Sequence, residues 1–290
     1  MFTGVSTAIV TPFRRGVVDE EALRNLCEDQ IANGIDGLVA VGTTGESPTL
    51  SFEEHIRVIE VVVQVAGKRV PVIAGTGSNA TKEAIELSLA AQKVGADGLL
   101  QVTPYYNKPS QEGLFRHFKA IVDACPLPTV VYNVPGRTGC DLLPETIARL
   151  AELPQIVAVK EATGSALRAS QVLARLPSRV AVLSGDDATA FPLYALGCKG
   201  VISVVSNVAP AEMAEMWDAA AAGRWDRARE LHFKLLPLSE GLFIEANPVP
   251  VKSALAMMGR IADELRPPLY PLAGPNREKV RGFLTEVGLL

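Results

Sequence analysis

Short apolar runs recur along most of the chain, and each is followed by a polar turn and then by a segment with helical periodicity. Eight of these runs have the length of a strand and are nearly continuous in Val, Ile, Leu and Ala. Runs without polar alternation are typical of parallel strands that are buried on both faces. We predict the eight strands at residues 5–10, 37–41, 70–74, 98–102, 129–132, 156–160, 180–183 and 200–205.

Helix signals lie between these runs. Ser51 and Glu54 have the spacing of a capping box, and Gly34 follows an apolar helical face at a position where glycine ends helices. Pro144 and Pro210 stand where the first turn of a helix tolerates proline. The pattern therefore predicts strands and helices in alternation.

Eight strands that alternate with eight helices over the first ~222 residues give the element count of a closed (β/α)8 TIM barrel. A doubly wound sheet is the alternative, but it needs a Gly-rich phosphate turn after the first strand, where this chain has Thr11-Pro12-Phe13. Helical periodicity returns after Gly223. We predict an α/β protein with a barrel over residues 1–223, which carries the active site, and a small C-terminal helical domain over residues 224–290.

Composition narrows the class of protein. The 290 residues are 48% hydrophobic, and the net charge of -4 comes without a basic cluster, which argues against a nucleic-acid partner. Charged residues interrupt every apolar run before the ~18 residues that a membrane helix needs. Residues 1–10 also lack the positive segment of a signal peptide. We expect a cytoplasmic protein with no membrane contact.

The spacing of cysteine and histidine argues against a metal centre. The 4 cysteines and 3 histidines are far apart and form no CxxC, HxH or HExxH pattern. We therefore expect no metal ligand set and no disulfide framework, and we interpret the cysteines as buried free thiols. A metal-dependent hydrolase becomes an unfavourable hypothesis.

Polar residues follow most of the predicted strands, at the end of a barrel where catalytic groups are found. Lys160 is unusual among them because the apolar strand residues 156–159 come directly before it. Desolvation lowers the pKa of a lysine from its usual ~10.4 and leaves a neutral, nucleophilic amine, which can form a Schiff base with a carbonyl substrate. The alternative is a structural lysine that is paired with Glu161 or Asp186.

Schiff-base chemistry needs groups that move protons, and hydroxyls are available at the same rim. Thr44, Tyr106 and Tyr132 are candidates for a proton relay, although each tyrosine taken singly is as typical of packing. Arg137 suits a substrate carboxylate, with a loop salt bridge as its alternative. Two glycines at 75 and 77 indicate a tight turn rather than a phosphate site.

Together these segments resemble the dihydrodipicolinate synthase family, which belongs to the pyruvate-dependent Schiff-base aldolases. The resemblance extends over the whole chain and is most specific at residues 42–46, 105–109, 132–139, 160–163, 184–187 and 247–252. It implies that Lys160 forms the imine with pyruvate, whose carboxylate is held by Thr43 and Thr44. It also implies that Tyr132 is the acid and base of the reaction.

The resemblance implies further roles at the same site. Thr44 and Tyr106 would complete the relay, with Tyr106 reaching into the neighbouring subunit across a tight dimer. Arg137 would bind the carboxylate of the second substrate, L-aspartate 4-semialdehyde, while Gly185 and Ile202 line the pocket through their backbone. Family members act in lysine and diaminopimelate biosynthesis and are usually homotetramers, built as dimers of dimers. They use no metal or organic cofactor.

Many bacterial members are inhibited by L-lysine at the tight-dimer interface. The corresponding residues here are Ser47, Pro48, Phe52, His55, Asn79, Glu83 and Tyr105. Phe52 stands where strongly inhibited members have a histidine, so the strength of feedback stays open.

Two alternatives to this function remain. Sister aldolases, such as N-acetylneuraminate lyase and the keto-deoxy sugar acid aldolases, resemble the chain in Lys160 and Tyr132 but generally lack an arginine at the position of Arg137. A non-catalytic ligand sensor would keep the barrel and make Lys160 structural.

Overall fold

The computed structural model describes residues 2–290 and contains a closed barrel of eight parallel strands. Around the barrel the strand order is β1, β10, β9, β8, β7, β6, β5 and β4. The strands are β1 (Gly4–Ala8), β2 (Phe13–Arg14), β3 (Val17–Val18), β4 (Gly37–Ala40), β5 (Val72–Gly75), β6 (Gly98–Val102), β7 (Thr129–Asn133), β8 (Ile156–Glu161), β9 (Ala181–Ser184) and β10 (Gly200–Ser203). All eight predicted strands are confirmed. The doubly wound alternative is wrong, because β1 pairs with both β4 and β10 and so closes the sheet.

Helices follow the barrel strands and cover their outer faces. They are α1 (Glu20–Ala32), α2 (Phe52–Ala66), α3 (Thr81–Lys93), α4 (Gln111–Ala124), α5 (Pro135–Thr138), α6 (Pro144–Leu150), α7 (Ala166–Leu173), α8 (Asp187–Leu196), α9 (Pro210–Ala221), α10 (Trp225–Gly241), α11 (Val249–Met257) and α12 (Gly274–Glu286). The capping box of Ser51 and Glu54 is present at the start of α2. Pro144 and Pro210 lie in the first turns of α6 and α9, as predicted.

Side-chain alternation divides the core into an inner and an outer part. Val39 of β4 belongs to the apolar cluster that fills the barrel, while its neighbours Leu38 and Ala40 pack in the cluster beneath the helices. In β8, Ala158 lies in the inner cluster and Val159 in an outer one. Successive residues of a strand point to opposite faces, so this register turns Lys160 towards the inside of the barrel.

The C-terminal helices pack onto the barrel through a shared core. Leu235 of α10, Leu255 of α11 and Val280 of α12 are buried in the same cluster as Leu23 of α1. The three helices are those predicted from the periodicity after Gly223, whereas the domain boundary at that residue stays a prediction. None of the helices within residues 2–290 is long and apolar enough to cross a membrane. The four cysteines are buried free thiols, as predicted.

Candidate active site

A cavity of about 350 Å³ opens at the carboxyl ends of the barrel strands. It brings together six residues that the sequence singled out, which are Thr43, Thr44, Tyr132, Arg137, Lys160 and Gly185. Each comes from the end of a strand or from the loop behind it, so the loops of four separate βα units converge on one space. This volume is at the lower end of the range for small-molecule sites.

Lys160 lies on the floor of this cavity and is 7% exposed. Its register partner on β7 is Tyr132, and its Nζ lies 4.1 Å from the centroid of the Tyr132 ring. Burial lowers the pKa of Lys160 to about 7, while the negative charge of Asp187 opposes the shift and the positive charge of Arg137 adds to it. The amine is therefore partly uncharged at neutral pH and can act as a nucleophile.

No carboxylate within residues 2–290 forms an ion pair with Lys160, so the alternative pairing with Glu161 or Asp186 is wrong. Glu161 is the next residue on the strand and points outward, where it accepts hydrogen bonds from Asn133 Nδ2 at 3.2 Å and from the backbone N–H of Thr163 at 2.8 Å. Asp186 instead accepts a bond from the Thr189 hydroxyl at 2.7 Å. Both carboxylates are occupied by partners other than the amine.

Tyr132 is 6% exposed and shares the inner cluster of the barrel. Burial raises the pKa of its phenol, with the charge of Arg137 and the side chain of Thr43 acting in the opposite direction. The hydroxyl thus keeps its proton at neutral pH, which makes it a proton donor beside the amine.

Gly185 gives the Lys160 side chain its space. A Cβ atom at this position would lie 3.0 Å from Lys160 Cε, 3.1 Å from Lys160 Cγ and 2.6 Å from Ala162 Cβ. Such distances are shorter than ordinary van der Waals contact. The absence of a side chain at 185 therefore leaves the room that the Lys160 stem occupies.

The segment behind β4 forms a 3-10 turn over Thr43–Gly45 and presents its two threonines to the cavity. Thr44 is 3% exposed, and its Oγ1 accepts a hydrogen bond from Asn247 Nδ2 at 3.0 Å. The backbone oxygen of Asn247 also accepts a bond from Arg137 Nη2 at 3.3 Å. Asn247 therefore links the threonine turn to the arginine.

Arg137 lies at the mouth of the cavity on the short helix α5. It is exposed and forms no salt bridge with any of the residues 2–290, so the alternative of a loop salt bridge is wrong. The guanidinium fork keeps donors available for an anionic group that enters the cavity.

Two of the predicted site residues lie outside this cavity. Ile202 is 1% exposed and packs in the inner cluster of the barrel. Tyr106 is 88% exposed and does not line the cavity of its own chain. An assignment of Tyr106 to the relay thus depends on a second copy of the chain.

A second cavity of about 210 Å³ shares Thr43, Tyr132 and Arg137 with the first, and it is lined by some of the seven residues at which the resemblance predicts an L-lysine site. Ser47, Pro48 and Tyr105 line this second cavity. His55 and Asn79 contact residues that line it: His55 Nε2 lies 2.8 Å from the oxygen of Gly75, and Asn79 donates to the oxygen of Tyr105 at 3.2 Å. Phe52 is half exposed, and Glu83 accepts a bond from Ser78.

The sequence did not assign a role to three residues that border the site. Asn247 and Phe243 reach the cavity from the C-terminal segment, and no local pattern indicates this. Asp187 is fully buried; its Oδ2 accepts bonds from the backbone N–H groups of Val204 at 2.8 Å and Val205 at 3.1 Å. Its burial raises its pKa, yet it is the acid whose charge acts on Lys160.

A (β/α)8 barrel with a buried lysine in a cavity at the strand ends is the arrangement of an enzyme, and the relationships that follow make this enzyme a lyase. The chain belongs to the dihydrodipicolinate synthetase family, whose model matches residues 1–287. It is 58% identical over 290 residues to the 4-hydroxy-tetrahydrodipicolinate synthase of Geotalea daltonii, with 100% of both chains covered.

Solved structures agree with this relationship. The chloride-inhibited dihydrodipicolinate synthase of Acinetobacter baumannii, complexed with pyruvate, is 50% identical with a TM-score of 0.98, and both chains are covered completely. The enzyme of Cyanidioschyzon merolae with lysine bound is 42% identical with a TM-score of 0.97, over 100% of this chain and 99% of the other.

Proposed function

We propose that this protein condenses pyruvate with L-aspartate 4-semialdehyde, the reaction of a 4-hydroxy-tetrahydrodipicolinate synthase in lysine and diaminopimelate biosynthesis. One observation carries the proposal: the unpaired amine of Lys160 lies over the Tyr132 ring in a cavity that also holds the threonine turn and an unpaired arginine. These groups supply a nucleophile, a proton donor and two places for carboxylates.

The reaction begins with pyruvate. Thr43 and Thr44 hold its carboxylate through their hydroxyls and backbone N–H groups, which places the ketone carbon beside Lys160 Nζ. The neutral amine attacks this carbon and forms a carbinolamine. Tyr132 donates a proton to the hydroxyl that leaves as water, and the carbon–nitrogen double bond of the imine forms.

The imine then becomes a carbon nucleophile. The Tyr132 oxygen, which gave up its proton in the preceding step, takes a proton from the methyl group of pyruvate, and an enamine forms because the imine nitrogen accepts the electron pair. The enamine carbon attacks the aldehyde of the semialdehyde, whose carboxylate is held by Arg137. The amino group of the same substrate then attacks the imine carbon, which closes the ring and releases the amine of Lys160.

A second copy of the chain completes the proposed site. Tyr106 is almost fully exposed and, in the proposed tight dimer, enters the relay of the neighbouring subunit beside Thr44. Two such dimers form the proposed homotetramer. We also propose that L-lysine binds at the second cavity through Ser47, Asn79 and Tyr105, and the lysine-bound Cyanidioschyzon merolae neighbour supports this assignment.

The pKa of Lys160 predicts the pH dependence of imine formation. With a pKa of about 7, the neutral fraction of the amine rises about tenfold per pH unit below pH 7 and levels off above it. We expect the rate of adduct formation at low pyruvate to follow this curve, measured by cyanoborohydride trapping and mass spectrometry. A rate that still rises tenfold per unit at pH 9 would indicate an ordinary solvated lysine.

Substrate choice is tested at Arg137. We expect the wild-type enzyme to consume pyruvate with L-aspartate 4-semialdehyde, and we expect Arg137→Ala to raise the KM for the semialdehyde about ten- to a hundredfold, because a charge-assisted bidentate contact is lost. The KM for pyruvate should change much less. Steady-state kinetics with each substrate varied in turn measures both constants.

The control for this experiment is Arg281→Ala, which removes an exposed arginine of α12 that lines neither cavity and should leave both constants unchanged. Turnover of pyruvate with N-acetylmannosamine at a comparable rate would favour the sister aldolases and overturn the choice of semialdehyde.

A further inference from the structure

A buried ion pair joins the C-terminal helix α11 to the end of the threonine turn. Lys252 Nζ lies 2.5 Å from Glu46 Oε1, and the two side chains are 0% and 1% exposed. Nζ also donates to the backbone oxygen of Thr11 at 2.9 Å and lies 4.2 Å from the centroid of the Phe13 ring. A hydrophobic pair is often as stable as a buried ion pair, so stability alone does not explain these charges.

The turn that this pair contacts has an unfavourable backbone. Val41 and Glu46 stand at its two ends with φ values of 54° and 55°, in the left-handed region. For a β-branched residue such as Val41 this conformation is a true outlier, and it persists only where the surrounding structure enforces it. Residues with a strained backbone therefore lie on both sides of Thr43 and Thr44.

The two ends of the turn are held in different ways. At the start, the neighbouring strand packs so closely that a Cβ atom on Gly75 would lie 2.3 Å from the oxygen of Val41. At the other end, the second carboxylate oxygen of Glu46 accepts the backbone N–H of Arg266 at 3.1 Å. Both residues that hold Glu46, Lys252 and Arg266, come from the C-terminal segment.

Lys252 reaches the turn by a second route. The backbone oxygen of Thr11 accepts a hydrogen bond from the Lys252 ammonium group, and the hydroxyl of the same Thr11 donates to the backbone oxygen of Gly45 at 2.7 Å. The ammonium is thus tied to the turn both through Glu46 and through Thr11. Such fixed surroundings hold a binding loop in its productive geometry before the substrate arrives.

We propose that Glu46 and Lys252 are positioning residues for keto-acid binding: their buried ion pair holds the Gly42–Glu46 turn in the conformation that presents Thr43 and Thr44 to the substrate carboxylate. Neither residue touches the reacting atoms. The inference rests on the proposed function, which supplies the keto acid. It makes helix α11 a functional part of the substrate site.

The test is the double variant Glu46→Gln/Lys252→Met. It removes both charges together, so no unpaired charge stays buried, and it keeps the approximate shape of each side chain. We expect the KM for pyruvate to rise at least tenfold while kcat at saturating pyruvate changes less than threefold. Without any substrate, we expect the backbone amides of residues 41–46 to exchange hydrogen for deuterium at least tenfold faster.

The matched control is Asp29→Asn/Arg260→Met. It removes another ion pair between the C-terminal segment and the barrel, of 2.5 Å and with both side chains 31% exposed, away from the turn. We expect its KM for pyruvate and its exchange in residues 41–46 to equal those of the wild type. Equal changes in both double variants would mean general loosening and would overturn the proposal.

A folded Glu46→Gln/Lys252→Met variant with wild-type KM and exchange also overturns the positioning role. If that variant does not fold, Glu46→Asp keeps the charge, shortens the reach by one methylene and is judged by the same two measurements. If the wild type gives no reduced adduct with pyruvate and borohydride, the proposed function fails. In that case faster exchange of residues 41–46 in the double variant still supports the claim that the ion pair holds the turn, and unchanged exchange refutes that claim.

Discussion

Replacing Lys160 with alanine will abolish the pyruvate adduct and lower kcat by on the order of 10⁴-fold or more, as expected when a covalent nucleophile is lost. The fold should survive, because the amine has no hydrogen-bond partner or ion pair within residues 2–290 whose loss would leave a buried group unsatisfied. Mass spectrometry after reduction with borohydride and pyruvate measures the adduct, and thermal unfolding checks the fold.

The control for this variant is Lys199→Ala. Lys199 is an exposed lysine just before β10, at the opposite end of the barrel from the cavity. Its removal should leave both the adduct and kcat as in the wild type. An adduct that persists in Lys160→Ala, or one that maps to another peptide, would refute the role assigned to Lys160.

The barrel could be predicted from the sequence because its strands are buried on both faces. Continuous apolar runs such as residues 98–102 stand out against the amphipathic helices that cover them. The hairpin of β2 and β3 was not predicted, since each strand has only two residues and shows no period. The short helix α5 was missed for the same reason.

The position of Lys160 was also within reach of the sequence. It is the fifth residue of a six-residue strand whose alternate residues face the barrel interior, so the direction of its side chain follows from the register of Ala158. The sequence did not show which charged group acts on Lys160. Glu161 and Asp186 were considered as partners only in the structural alternative, and the carboxylate whose charge acts on Lys160 is Asp187, which is held by a loop from the next strand.

Contacts between distant segments explain the other omissions. The hydrogen bond between Asn247 and Thr44 spans 203 residues of sequence, and the pair of Lys252 and Glu46 spans 206. Local periodicity does not indicate contacts between residues so far apart in the sequence. The motif at residues 247–252 was noticed by its resemblance, and only the packing of α11 against the turn gives it a physical meaning.

The second large effect on kcat is expected when the hydroxyl of Tyr132 is removed. Tyr132→Phe keeps the buried ring 4.1 Å from the amine and removes only the hydroxyl, so the packing and the cation–π contact with Lys160 are retained. If the hydroxyl is the general acid and base, its loss should lower kcat by about 10²- to 10⁴-fold. The adduct with pyruvate should still form at high pyruvate, but more slowly. Single-turnover trapping separates this rate from kcat.

Tyr194→Phe is the matched control, since Tyr194 is also a buried tyrosine but lies on α8, where its hydroxyl has no hydrogen-bond partner within residues 2–290. Removing an unsatisfied buried hydroxyl should leave kcat unchanged and should not destabilise the fold. The two variants lose the same atom from similarly buried rings, and only the Tyr132 ring lines the cavity. Wild-type kcat in Tyr132→Phe, or an equal loss in both variants, would remove the Tyr132 hydroxyl from the reaction.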